Sequence, residues 1–332
     1  MGLTPSFRIE ANSADITNVI RERFSSLTIT DNAGLASDTL RITLTDHDDE
    51  NRIQFPDTGA ELAVWLGYEG GLQRMGLFIV DGIEISGPPD QMTIRAKAAP
   101  QDRTPAGKTA MQSRKFRSWE AGLTLAEMVQ TIAQEHNLTP AISAGLGSKV
   151  LPHYDQMGES DMNLLTRVAQ TYGAIAKPAD GRLVIAPRGE SQTVSAQPLP
   201  SVSLTWADLT DWSVNLAKRS QFQSVQAKWF DKAAGEEKTV TAGTGEPVMI
   251  LRHPFRTQAQ AKDAADSEYR KGQRGSSTLT ASLPGRTDII AETPLAISGV
   301  RFGVDGRWVV ERVTHTLDGG GYRTSISATV PA

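Results

Sequence analysis

The 332-residue chain contains no cysteine. Disulfides, thiolate metal sites and a cysteine nucleophile are therefore excluded, and the composition fits a reducing compartment. No apolar run approaches the roughly 20 residues needed to span a bilayer. The start, MGLTPSFRIEANSADITNVI, has no basic head followed by an apolar core, so it does not read as a signal peptide. A soluble protein made in the cytoplasm is expected, without membrane insertion. Positive charge is not in excess either. Lys+Arg number 34 against 38 Asp+Glu, a net charge of −4, which argues against a protein that grips nucleic acid. The hydrophobic share of 39% is modest but well above that of a disordered chain. The length suggests two or three domains, and each half is long enough to bury its own core.

What is present is a repeat. Gly76-Leu77-Phe78-Ile79-Val80-Asp81-Gly82-Ile83 lies 230 residues before Gly306-Arg307-Trp308-Val309-Val310-Glu311-Arg312-Val313. Both read glycine, any residue, aromatic, β-branched, valine, acid, any residue, β-branched. Upstream, Leu62-Ala63-Val64 echoes Leu295-Ala296-Ile297, and the run from Ser37 to Leu44 echoes Ser276 to Leu283. Three elements recur in one order with different loop lengths, which predicts a duplicated domain.

Residues 1–100 read as strands. Leu40, Ile42 and Leu44 alternate with polar residues, as Leu62, Val64 and Leu66 alternate with Ala63 and Trp65, the period of a half-buried strand. Gly87-Pro88-Pro89-Asp90 predicts the turn of a hairpin. Pro100–Ser118 is polar and basic, with Lys108, Arg114, Lys115 and Arg117, and reads as a linker or solvated loop. Two helices follow. Thr124 and Glu127 form a capping box before the stripe Leu125, Met128, Val129, Ile132 and Ala133. The second starts near Ser160 and ends at Gly173. Strands return at Arg182–Ala186, Val202–Thr205, Trp212–Ala217 and Ser224–Phe230. A polar, alanine-rich surface helix is expected near 258–271, and a last hairpin turns at Asp318-Gly319-Gly320-Gly321. The predicted fold is mainly β with α: two similar β-barrel domains, at 1–100 and 179–332, flank a linker and small helical subdomain at 101–178.

No constellation carries chemistry. Asp46-His47-Asp48-Asp49-Glu50 is acidic enough to consider calcium, but it lacks the glycine and terminal glutamate of an EF-hand loop and reads as a solvated turn. His47, His136, His153, His253 and His315 have no H-x-x-x-H spacing. No Gly-x-Ser-x-Gly elbow supports a triad. Gly243-Thr244-Gly245 and Gly303-Val304-Asp305-Gly306 do not match a phosphate-binding loop. Glu159 and Asp161 read as helix N-terminal charges rather than a glycosidase pair. Catalytic, cofactor-binding and metal-binding residues are all expected to be absent, and no cofactor is called for.

The run from Tyr154 to Ala169, with its Glu159-Ser160-Asp161 followed by Leu165, Arg167 and Ala169, resembles the central segment of phage late control D proteins. Tyr172-Gly173-Ala174 and Asp180-Gly181-Arg182-Leu183 continue the likeness. So do Leu123-Thr124-Leu125 leading to Ile132-Ala133, and the ending from Gly306 to Leu317 with Gly320-Gly321-Tyr322. These are baseplate hub proteins of contractile tails, related to the hub part of the type VI secretion spike protein. The resemblance implies a structural homotrimer, not an enzyme. Its two similar barrels per subunit would form a pseudo-sixfold ring adapting a hexameric tail tube to a trimeric spike, beside other baseplate proteins. The location would be the virion tail baseplate or a tail-like particle, assembled in the bacterial cytoplasm. With the sequence ending at Ala332 after the last strand, the spike is expected to be a separate chain. Two alternatives remain at this stage: a DNA-binding late-gene regulator, and a peptidoglycan-degrading tail enzyme.

Overall fold

A computed structural model describes residues 4–33, 38–46, 51–98, 111, 113–179, 182–189, 199–216, 222–274 and 277–331. The protein is mostly β, with five helices among the described residues. The first hundred residues hold β1 (Pro5–Ala11), β2 (Ala14–Asp15), α1 (Thr17–Glu22), β3 (Phe24–Asn32), β4 (Thr39–Thr45), β5 (Glu61–Tyr68), β6 (Gly71–Ser86) and β7 (Gln91–Ala98). The helical region holds β8 (Arg114–Trp119), α2 (Leu125–Glu135), β9 (Thr139–Ile142), α3 (Ala144–Gly147), β10 (Tyr154–Ser160), α4 (Asp161–Thr171), β11 (Ala174–Ala179) and β12 (Arg182–Pro187). The remainder holds β13 (Val202–Thr205), β14 (Asp211–Leu216), β15 (Ser224–Asp231), β16 (Glu236–Gly243), β17 (Val248–Ile250), α5 (Gln258–Arg274), β18 (Ser277–Pro284), β19 (Pro294–Ser298), β20 (Gly306–Asp318) and β21 (Gly321–Thr329).

The sequence repeat is a structural repeat, down to register. In the first module β3, β4, β7, β6, β5 and β1 are neighbours in that order; in the second the order is β14, β18, β21, β20, β19 and β13. Leu62 faces Phe78 as Leu295 faces Trp308. Leu40 faces Ala96 as Leu279 faces Ala328. The bulge in β6 between Val80 and Gly82 recurs in β20 between Val310 and Arg312. Even the bonds beside the bulge repeat: Gly59 donates to Val80 and Val80 to Ala60, as Glu292 donates to Val310 and Val310 to Thr293. A bulge bends its strand and re-aims the residues beyond it. Here it separates the half of β6 or β20 that pairs with β5 or β19 from the half that continues past them.

The expected pair of barrels takes a different form. Among the described residues neither module closes on itself through backbone hydrogen bonds; both belong to one open 13-stranded sheet. They join where β20 lies antiparallel to β3, with Arg312 opposite Asn32 and Asp318 opposite Ser26. The alternation seen in the sequence is kept. Leu27, Ile29, Val313, His315 and Leu317 are buried on one face of this seam, while Thr30 and Thr314 meet on the other with their hydroxyls 3.5 Å apart.

Four clusters of buried side chains form. Two belong to the modules, and the first takes in Leu317 and Tyr322 from across the seam. The third is the helical region, where the stripes of α2 and α4 meet Leu183 and Ile185 of β12. The strand at 182–187 thus packs with the helices; it pairs with β11 and, in parallel, with β9. The fourth lies between α5 and the separate three-stranded sheet β16–β15–β17, where Val225, Ala227, Ala261 and Ala265 are buried. Alanines let the helix approach its sheet closely, which is why its pattern reads as weakly hydrophobic.

Two further readings need correction. The basic stretch ending at Ser118 is not all loop: residues 100–110 and 112, with Lys108, lie outside the described residues, but Arg114–Trp119 is a strand paired with β10. Its inward side chains, Lys115 and Arg117, are cations with buried partners, so the hydrophobic alternation that marks a strand is missing. The short helix α1 was also invisible amid strands, having only six residues.

Candidate functional site

Two polar clusters sit in this framework, one around a fully buried carboxylate and one partly buried beside the seam. The first cluster is built around Asp161, the residue after the N-cap Ser160 of α4. Its side chain is 0% exposed. The hydrogen bonds reach it from three directions. Lys115 Nζ at 2.6 Å and Arg117 Nη2 at 2.8 Å come from β8. Gln156 Nε2 at 2.8 Å comes from β10, and His136 Nε2 at 2.7 Å from the residue that ends α2. Burial alone would push the Asp161 carboxyl up. Hydrogen bonds from Lys115, Gln156 and His136, with the Arg117 charge, outweigh it and hold the carboxyl below the usual carboxylate range. Glu135, half exposed, accepts from Lys115 at 2.7 Å and from Arg117 at 2.5 Å.

Glu135, His136 and Asp161 are close enough to offer one ligand atom each to a metal. The chemistry of the set does not favour one. Two carboxylates already face two fixed cations, and both oxygens of Asp161 are taken by donors. The cluster ties α2, α4 and the β8–β10 hairpin together. The motif that contains Asp161 was legible in the sequence. Its role was not, because its charged and imidazole partners, His136, Arg117 and Lys115, lie 25 to 46 residues away, and only Gln156 is near in sequence.

The second cluster lies beside the β3–β20 seam. Lys177 of β11 reaches Asp31 at 3.1 Å and Asp38 at 2.8 Å, and Asp31 accepts the Ala291 amide at 2.8 Å. The first module, the helical region and the second module therefore meet at one lysine. Burial, then the neighbouring Asp31 charge, pushes the Asp38 carboxyl up to about 6. Burial opposes ionisation of Asp31 as well, but Lys177 and the Ala291 amide hold it below the usual range. Next to them His315 is enclosed by the seam. Tyr322 Oη lies 3.0 Å and Thr324 Oγ1 3.2 Å from its Nδ1, and burial lowers the imidazole to about 4. His315 thus packs and hydrogen-bonds within the seam. Asp31, Asp38, Lys177 and His315 also line a cavity of about 380 Å³.

The other sequence candidates do not converge. Asp46 is buried and accepts the Ile53 amide at 2.9 Å, with the Arg23 guanidinium 3.4 Å away; His47 to Glu50 lie outside the described residues. His153 leans on Asp155 at 3.1 Å at the surface. Glu159 pairs with Arg167 at 2.8 Å. Asp305 fixes the turn before β20 by accepting the amides of Gly299, Val300 and Arg301. Gly243 and Gly245, both at positive φ, shape the bend between β16 and β17.

What the geometry defines is a repeated sheet module with polar clamps. Comparison with known proteins agrees. The family described as phage tail baseplate hub (GPD) matches residues 37–320. The probable baseplate hub protein of Escherichia phage 186 is 33% identical, covering 99% of this chain and 93% of its own. Among solved structures, the 43 kDa tail protein of prophage MuSo2 from Shewanella oneidensis superposes with a TM-score of 0.72 at 16% identity, over 99% of this chain and 98% of that one. The Escherichia coli c3393 protein, a component of the type VI secretion system, shares the fold with a TM-score of 0.55 at 12% identity, over 93% and 74% of the two chains. The chain belongs to the phage tail baseplate hub family. That family is defined by a structural role in the tail and not by a reaction.

Proposed function

We propose that three copies of this chain form the hub of a contractile phage tail or tail-like particle, a ring of six similar modules. A threefold assembly of doubled modules can present a sixfold pattern to a hexameric tail tube and a threefold one to a trimeric spike, through closed cyclic symmetry. The observation that carries this reading is the register-for-register repeat of strand pairing, including the bulge, in β6 and β20. In the ring, each barrel-like module is completed by its neighbours. Residues 1–100 form the first module and 101–178 a linker and helical clamp, to which the β11–β12 hairpin is added; the rest of 179–332 forms the second module. The mechanism is mechanical: no residue performs chemistry, no cofactor or metal takes part, and DNA is not bound specifically. The particle is assembled in the host cytoplasm, with the spike and other baseplate proteins as partners. Permanent interfaces of this kind bury well over roughly 2,000 Å². Native mass measurement, alone and with the spike, tests the stoichiometry. Three copies are expected; a dimer, or a monomer in both conditions, would overturn the ring.

A further inference from the structure

The seam inside the chain has an unpaired counterpart at its two ends. By register, β14 is the second module's equivalent of β3: Val214 faces Leu279 as Ile29 faces Leu40. The half of β6 beyond the bulge is likewise the equivalent of the half of β20 that holds β3: Ile83 faces Ile94 as Val313 faces Ile326. Within the chain β20 and β3 are joined. Among the described residues β14 has one strand neighbour, β18, and Gly82–Ser86 has one, β7.

These edges carry apolar surface of the kind that soluble proteins usually cover or blunt. Ile85 is 56% exposed, Leu216 58% and Trp212 37%. We infer that residues 83–86 of one subunit pair antiparallel with residues 213–216 of the next, repeating between chains the seam that β20 and β3 make within one. This rests on the ring proposed above and specifies how the ring closes.

The internal seam fixes the register. It sets Val313 opposite Asp31, Thr314 opposite Thr30, His315 opposite Ile29 and Thr316 opposite Thr28. Carried to the equivalent positions, Ile83 lies opposite Leu216, Glu84 opposite Asn215, Ile85 opposite Val214, and Ser86 opposite Ser213. Apolar residues meet apolar ones on one face and polar meet polar on the other. No like charges oppose each other. A slip of one residue would turn every side chain of one edge to the wrong face, so the pattern selects this register. The two edges are different surfaces, so the contact is head-to-tail. Such a contact makes a closed ring or an open filament depending on the rotation per copy; the ring reading requires closure at three.

The absence of cysteine allows a direct test. Glu84, Ser86, Ser213 and Asn215 are all exposed, so cysteines there leave the cores untouched. The full-length double variants Glu84→Cys/Asn215→Cys and Ser86→Cys/Ser213→Cys are oxidised and run on denaturing gels. Most of the chain is expected in covalent dimer and trimer, with nothing larger. The off-register double variant Glu84→Cys/Asp211→Cys should stay monomeric. A trimer by native mass with no cross-link at either in-register pair would overturn the seam and leave the ring standing. A chain that neither cross-links nor assembles, alone or with the spike, would overturn both. Products extending beyond the trimer would contradict closure.

Discussion

Ile85 and His315 occupy the same register position in two copies of one module, yet their surroundings are opposite. His315 is 0% exposed and Ile85 56%. The difference is not in their own strands, which pair with β7 and β21 in matching register. It is the presence of β3 against one and of no described strand against the other. The two modules differ also in what is hung on them. β4 starts at Thr39, soon after β3 ends at Asn32, whereas the equivalent connection from β14 to β18 carries the β16–β15–β17 sheet and α5. The outermost strand is antiparallel in the first module, where β1 meets β5, and parallel in the second, where β13 meets β19. Pairing is kept where strands must join neighbours, and connections vary where they run over the surface.

The comparison is broken most severely by charge at equivalent seam positions. Ile29→Asp places an unpaired carboxylate in the filled seam and should destabilise the chain by about 4 kcal/mol. Val214→Asp, on the open edge and only partly buried against the second module's core, should cost the isolated chain about half as much or less while weakening assembly. Urea unfolding of both variants measures the contrast, and equal losses would mean that the two sites are not equivalent.

The next effect is set by pH. His315 is held near 4 when folded, against about 6.5 when unfolded. The unfolded chain therefore binds the proton first, and stability from this group, complete above pH 6.5, is lost as pH falls through 4. The difference amounts to on the order of 3 kcal/mol. Asp38 acts in the opposite direction between pH 6 and about 4, since its folded carboxyl protonates first. The clean comparison is thus between the wild-type chain and His315→Gln, which share Asp38. From pH 6.5 to 4 the variant should lose less stability than wild type in denaturant titrations; parallel curves would refute the assignment.

The smallest effect lies outside the modules. Thr124→Ala removes the N-cap of α2, whose hydroxyl accepts from the Glu127 amide. A loss of about 1 kcal/mol is expected by thermal unfolding, with assembly unchanged.

Much of this fold was legible in the sequence because its information was local. Period-two alternation gave β4 and β5, the capping box and apolar stripe gave α2, and Gly-Pro-Pro-Asp gave the β6–β7 turn. The repeat was readable because the bulge and the aromatic that follows its glycine are written in consecutive residues. Three features were not readable, each for a physical reason. β8 presents cations inward to Asp161, so its alternation is not hydrophobic. The continuous sheet depends on β20 meeting a strand 284 residues away in sequence, as the Thr30–Thr314 contact shows. The Asp31–Asp38–Lys177 clamp draws its acids from one region and its lysine from another, with no motif in between.

The most direct test is an electron cryomicroscopy reconstruction of the assembled hub. It should reveal three subunits with six sheet-to-sheet seams, alternating between β20–β3 contacts within a chain and contacts of residues 83–86 with 213–216 between chains. Two copies per ring, or three copies whose β14 edges face solvent, would contradict the account.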